Sequence, residues 1–395
     1  MIRIALGLAK PARNLTLGCL LLATAALGVA AARAYPTTDL FCFTTAARLL
    51  TLGGDPYDAA TWAAATAGTF PDYRGVPRSS PCPGRFGYPL WTAFAILPVT
   101  WLDPFVGALA WQLLLFLATG LGVVALARAV GKPEKAVALG LVVVSSQPFW
   151  LTVLNAQFGG VLLGAVGISA SMLAARRYGS AGLALGFGWL KPHVVVLALA
   201  AFPIRALARH RQRTAFAIVG VFALLLVISL AFRPTWPLEY ATELLGNRRA
   251  QTETSTSLIG LSMVLTGSAL FGLVVALAAI VVAAVLIRGR DLTDVEALSL
   301  AVGASLVASP YLGSHDQLLL APCWMLLLRL RGWLGSPLVT LLAVAVPWSL
   351  YAMKGSIGGP EGLSGLVPTI TLLAVAFTLR RESQVPRRTR GDVAA

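Results

Sequence analysis

Apolar runs on the scale of a bilayer crossing, roughly 30 Å of hydrocarbon, recur along almost the whole of this chain. They lie near 14–34, 104–127, 135–153, 158–175, 181–204, 214–232, 268–287, 295–309, 316–330, 335–352 and 363–380, with a shorter one from Tyr88 to Leu102. Little sequence is left between them for a core that water could surround. Only 12% of the 395 residues are charged and the mean hydropathy is +0.79, whereas ordinary soluble domains carry about 25% charged residues. The chain therefore reads as an all-α polytopic integral membrane protein. It forms one transmembrane domain over residues 1–395, its solvent is the lipid bilayer, and a separate soluble domain is excluded.

The charge balance then acquires a topological meaning. Lys and Arg number 31 against 16 Asp and Glu, a net +15. No contiguous basic face interleaved with aromatics lies outside the membrane, so nucleic acid is not an expected partner. In a polytopic protein an excess of this kind marks cytoplasmic loops. Arg3, Lys10 and Arg13 put the N-terminus inside. Ala32-Arg33-Ala34 has the form of a signal-peptidase site, but the apolar stretch before it is long for a signal peptide, and either reading leaves residue 35 onward outside. The tail 381–395 is basic through Arg381, Arg387, Arg388 and Arg390, and should be cytoplasmic. Arg329 with Arg331, Arg288 with Arg290, and the group Arg205, Arg209, Arg211 and Arg213 then fall inside as well, leaving 35–87, 233–267, 310–316 and 353–362 outside.

Between residues 88 and 204 the parity has two solutions. If Tyr88–Leu102 spans, Arg128, Lys132, Lys135, Arg176 and Arg177 face outside. If it is re-entrant and 181–204 is a hairpin broken at Lys191-Pro192, all five lie inside. A mixture with short, broken helices suits the repeated Pro and Gly, and the total is about 10 to 12 crossings.

The long outer loop 35–87 holds Asp39, Asp55, Asp58 and Asp72 together with Arg48, Arg74, Arg78 and Arg85. A connection of this length is usually structured or functional. Asp39 through Leu50 has helical periodicity ending at Gly53-Gly54, as expected of a helix lying on the membrane surface with its apolar side down. Asp39 would serve either as the cap of that helix or as a working carboxylate. Cys42 and Cys82 share this loop, where a disulfide could persist; two unrelated thiols is the alternative. Lys191 is a cation inside an apolar stretch, which is expensive unless something anionic offsets it, and Asp316 competes with a substrate anion for that part. His193, His315 and Asp316 stand in or beside apolar runs and read either as functional groups or as satisfied buried polar ones. Asn155 and Gln157 join two apolar runs, where they would at least satisfy a helix break. No cysteine pair has metal-ligand spacing. The segment 233–257 is amphipathic and reads equally as a cover over a cleft or as an interfacial helix.

Several of these residues fall into an ordered pattern. Asp39, Ala46-Ala47-Arg48-Leu49-Leu50, Gly53-Gly54-Asp55-Pro56-Tyr57-Asp58 and Phe86-Gly87-Tyr88-Pro89 are followed by Asn155-Ala156-Gln157-Phe158-Gly159-Gly160, Ala181–Gly186 running to Leu190-Lys191-Pro192, and Ser309-Pro310-Tyr311 with His315-Asp316. In order and spacing, over most of residues 30–330, this resembles the bacterial polyprenol-phosphate-mannose-dependent mannosyltransferases of glycosyltransferase family 87, in the GT-C superfamily. It departs from them at Leu90, where a second Pro often stands, and in Asn155-Ala156-Gln157, a loose echo of Gly-Gln-x-Asn.

The resemblance implies a GT-C fold in a bacterial cell membrane, both termini cytoplasmic and the active site outside. It also implies transfer of a sugar, mannose first, from a polyprenyl-phosphate donor to a hydroxyl of a glycolipid or glycan, with inversion at C1. In that chemistry an acceptor hydroxyl needs a carboxylate to take its proton, a role that falls to Asp39. A leaving group that is already a phosphate needs cations and hydrogen-bond donors, drawn from Lys191, Arg48, Arg85, His193 and His315, with Tyr88, Gln157 and Asp316 lining the site. No cofactor is expected and metal dependence should be weak or absent. Three other readings stay open: a GT-C transferase for a pentose or glucose, a secondary transporter, and a non-catalytic lipid-binding protein. A transporter tends to show repeated halves and midplane charges, whereas no internal repeat is visible here.

Overall fold

A computed structural model describes residues 10–82, 84–246, 255–288, 292–329, 335–357 and 361–384. The residues in these segments are helical apart from connecting loops and one small hairpin, as an apolar solvent that cannot satisfy a free backbone requires. Six helices are long and apolar enough to cross a membrane: 14–33, 104–129, 212–232, 270–287, 335–353 and 363–380. A seventh candidate, 133–154, is bent by 62°. Ser146 causes the bend: it is extended, its hydroxyl caps the next helix through the Phe149 N–H, and Pro148 fills that helix's first turn. The apolar runs alone imply about 10 to 12 crossings. The difference arises because 88–102, 158–175, 181–204, 295–309 and 316–330 fold as shorter or broken helices.

In chain order the elements that position the site are α1 (Lys10–Arg33), α2 (Asp39–Thr51), α3 (Ala59–Thr66), the strands β1 (Thr69–Pro71) and β2 (Pro77–Ser79), α4 (Leu90–Thr100) and α5 (Pro104–Ala129). There follow α6 (Ala136–Ser145), α7 (Gln147–Leu154), α8 (Gly159–Ala174), α9 (Tyr178–Gly186), α10 (Val196–Ala208), α11 (Gln212–Phe232) and α12 (Trp236–Gly246). The last part contains α13 (Leu258–Thr266), α14 (Leu270–Arg288), α15 (Asp294–Ala308) and α16 (Ala321–Arg329), then two further helical segments, Gly335–Ile357 and Leu366–Gln384. Helices α5 and α8 pack closely through small residues, since a Cβ at Gly164 would stand 2.8 Å from the Ala118 carbonyl.

The first loop is built rather than loose. β1 and β2 pair antiparallel, Phe70 opposite Arg78, and Cys42 is bonded to Cys82 with their Cα atoms 5.5 Å apart. Trp62 is buried and donates from Nε1 to the Cys82 carbonyl at 3.3 Å. Helix α2 ends one residue past the expected Leu50, and Gly53 comes next but one at φ 74. Its apolar side does not lie on a bilayer. Leu40, Phe43, Ala46 and Ala47 are buried against α4 and the rings of Tyr88 and Phe158, because that face finds protein partners before it finds lipid.

Segment 233–246 folds over the same end of the molecule. Arg233 donates from Nε to Glu239 Oε2 at 2.6 Å and from Nη2 to Asp55 in the first loop, and Trp236 sits edge-on to Trp91 at 5.0 Å. The Glu239 carboxyl is held below its ordinary range chiefly by that guanidinium. Arg248, Arg249, Arg290, Arg331, Arg3 and the tail beyond Gln384 lie outside the described residues.

At the other end of the bundle, Arg176, Arg209, Arg211, Arg329, Asp294 and Glu296 line one cavity with the end of α5. Helix α5 thus runs from the Asp55 end, where Trp111 meets Ala156, to the arginine end at Ala129.

Candidate functional site

Asp39 opens α2, but it is not the cap. Thr38 holds that position in an extended conformation, and the Asp39 N–H donates to the Asn155 carbonyl at 3.0 Å. The carboxylate is left to act across the chain. Gln157 donates to it from Nε2, and the same amide nitrogen lies 3.4 Å from the Tyr88 hydroxyl. Gln157 reaches this position because the preceding Ala156 adopts φ 51, an uncommon conformation for a residue with a Cβ. Trp111 Nε1 holds the Ala156 carbonyl at 2.8 Å.

The other end of the Gln157 side chain meets Lys191. Its ammonium donates to Gln157 Oε1 at 3.2 Å and to Asp316 Oδ1 at 2.6 Å, and His315 Nε2 lies 3.2 Å away. For that third bond the imidazole nitrogen must be the unprotonated acceptor. Lys191 and Asp316 are both 0% exposed and Gln157 only 2%. A lysine has three donors, and all three are committed. Of the two partners weighed from sequence, Asp316 is thus the one that neutralises Lys191 here. The break that places Lys191 is held by α4, whose Trp91 and Thr92 side chains donate to the carbonyls of Trp189 and Leu190 at 2.7 and 2.9 Å. On the opposite side, the turn 314–320 is fixed by the Gly313 N–H donating to Asp316 Oδ2 at 3.0 Å and by Thr152 donating to the His315 carbonyl at 3.3 Å.

The result is a chain of polar groups, Asp39, Gln157, Lys191 and Asp316, drawn from distant parts of the sequence. Burial raises the Asp39 carboxyl above its ordinary value of 3.8, against the lowering influence of the Gln157 hydrogen bond and the Lys191 charge. A half-buried carboxylate with a raised pKa and a neutral amide for support is suited to accept a proton.

His193 stands beside the chain, its ring 6.0 Å from that of Tyr311, with Nε2 buried and without a hydrogen-bond partner. Arg85 turns instead toward α12, with Nε 3.9 Å from Glu243 Oε2. Arg48 lies near the far end of α2, about 13 Å along the helix axis from Asp39. Neither is bonded to Asp39, Gln157 or Lys191. Among the described residues no group of three or more His, Cys, Asp and Glu side chains is placed to hold a metal ion.

Tyr311, 36% exposed beside His193, belongs to the Ser309-Pro310-Tyr311 pattern in the sequence, but its place at the site is not readable there. Gly313 was hidden altogether: a Cβ there would stand 2.8 Å from both ring nitrogens of His315.

The family model of glycosyltransferase family 87 matches residues 86–310, more than half of the chain. The match includes Tyr88, Gln157, Lys191 and His193, and Asp39, His315 and Asp316 lie outside it. No curated protein and no solved structure matches the chain.

Proposed function

The chain belongs to glycosyltransferase family 87 and is a multi-pass membrane glycosyltransferase, and from that premise we propose that it moves mannose from a polyprenyl-phosphate donor to a hydroxyl of a glycolipid or glycan, with Asp39 as general base. The observation that carries this reading is the Asp39 carboxylate, ionisable yet withdrawn from water, tied through Gln157 to the buried Lys191–Asp316 pair.

In the proposed reaction the acceptor oxygen attacks C1 of the donor sugar while Asp39 takes the hydroxyl proton. The bond from C1 to the phosphate oxygen breaks, and its electron pair leaves with the polyprenyl phosphate. Attack from the face opposite the phosphate inverts C1, so a β-linked donor gives an α-mannoside. Negative charge grows on the leaving phosphate and calls for fixed donors. The unpartnered Nε2 of His193 and the half-exposed Tyr311 are the groups nearest that task. Lys191 contributes its charge from behind Gln157, shared with Asp316. No metal is required by this chemistry, because the phosphate leaves already charged.

The orientation rests on where the charges sit. The arginine end is assigned to the cytoplasm by the positive-inside rule, with both termini there. The first loop and the segment 233–246, tied together by Arg233 and Asp55, then face outside. This arrangement is that of a GT-C enzyme in a bacterial cell membrane.

The direct test is incubation of membranes containing the protein with radiolabelled polyprenyl-phosphate mannose. Label should pass into a glycolipid or glycan fraction. Transfer only from a pentosyl or glucosyl donor would replace mannose in this reading, and transfer from no polyprenyl-phosphate sugar would reject it.

A further inference from the structure

The arginine end of the bundle, remote from Asp39, holds a cavity of about 370 Å³ that the transfer reaction does not use. Its walls include Arg176, Arg209, Arg211 and Arg329, with Asp294 and Glu296 at the start of α15. Arg205 reaches the same cluster from within: its Nε lies 3.4 Å from Asp294 Oδ1, and Nη2 donates to the Leu292 carbonyl at 2.6 Å. Among the described residues, five guanidiniums and two carboxylates therefore gather at this end.

Those carboxylates are already engaged. Asp294 is shared by Arg205, Arg209 at 3.6 Å and Arg211. Glu296 accepts from Arg329 at 2.8 Å and closes the α15 cap by accepting from the Thr293 N–H at 2.8 Å. Arg176 projects from a left-handed turn at φ 59 and is exposed. Arg211 stacks over the Tyr178 ring at 4.8 Å, which fixes its guanidinium plane. Val130, Leu173, Ala174 and Val295 add an apolar part to the wall. Surplus positive charge, planar donors and a concave, partly apolar recess together describe a receptor for a phosphate group.

We propose that this cavity binds a phosphate-bearing anion on the face opposite the transfer site. The phosphate can arrive on the headgroup of an anionic lipid, whose glycerol and acyl carbons would rest against Val130 and Leu173, or on a water-soluble phosphate.

The experiment uses the full chain purified in detergent, with thermal stability followed on titration with phosphatidylglycerol, phosphatidylcholine and inorganic phosphate. A saturable rise with phosphatidylglycerol but not with phosphatidylcholine supports the site and identifies a lipid source; the same rise with inorganic phosphate supports it with a soluble source. In either case Arg176→Gln, which removes an exposed side chain outside the ion pairs, should weaken the apparent affinity about tenfold. Arg176→Lys should recover part of that loss, and sugar transfer should be unchanged in both. The absence of a rise with either phosphate probe overturns the proposal. So does a rise that is the same in the wild type, Arg176→Gln and Arg211→Gln, since the anion would then bind elsewhere.

Discussion

Asp39 and Lys191 were legible as candidates because an ionisable side chain at an apolar boundary carries a cost that must be met. Their connection was not, since Gln157 is neutral and stands 118 positions from Asp39 in the sequence. Two predictions belong to this scale. The raised pKa of Asp39 means that it is ionised, and competent as a base, only above that value. Activity should therefore be full at higher pH and fall away as pH drops through an acid limb lying above the ordinary value of 3.8. Gln157→Leu removes an interaction that lowers this pKa, so kcat/KM measured against pH should show the limb moved to still higher pH. A limb that stays in place would detach Gln157 from Asp39. The second prediction concerns the buried pair. Lys191→Met leaves Asp316 charged and unpaired, a loss of about 3–5 kcal/mol, read as a lowered Tm. The double variant Lys191→Met/Asp316→Asn should recover most of it. An unchanged Tm in the single variant would show that the pair does not support the fold.

Among the elements, the apolar runs located the long helices well, because a stretch that must satisfy its own backbone in lipid has few alternatives. They failed where helices are short: the Ser146 bend and the break at Lys191-Pro192 depend on local caps and on Trp91 and Thr92 reaching across from α4. Periodicity locates the helix from Asp39 but points its apolar face to lipid, whereas α4 covers it, a tertiary fact that periodicity does not contain. The turn carrying His315 gives a third prediction. Gly313→Ala would place a methyl within 2.8 Å of both imidazole nitrogens and displace His315 from Lys191. Transfer should fall about tenfold or more from misplacement, with the protein still eluting as a folded species; unaltered transfer would show that the ring position is unimportant. The Cys42–Cys82 bond closes most of the first loop, so Cys42→Ser should cost about 2–4 kcal/mol of stability in protein matured under oxidising conditions. Equal Tm values for the variant and the wild type would contradict this.

At the scale of the whole molecule, the arginine-lined cavity and the first loop lie at opposite ends of α5. Arg176 and Arg209 line one cavity, so the two stretches 128–135 and 176–177 share an end with 205–213, the second of the two parities. In the proposed reading that separation puts sugar transfer at one face and an arginine-lined anion recess at the other. Cysteine labelling of intact cells should reach sites introduced at the exposed Ala67 and Thr242 and miss one at Arg211; labelling at Arg211 would invert the assignment. The central claim is that Asp39 deprotonates the acceptor while a polyprenyl phosphate departs. It is tested most directly by giving purified protein a labelled polyprenyl-phosphate mannose with acceptor-containing lipid extract, and counting mannose transferred and polyprenyl phosphate released. The wild type should yield equal amounts of the two, and Asp39→Asn, equally folded, should yield at least about 100-fold less of both. Transfer by Asp39→Asn at a rate near that of the wild type would contradict the account.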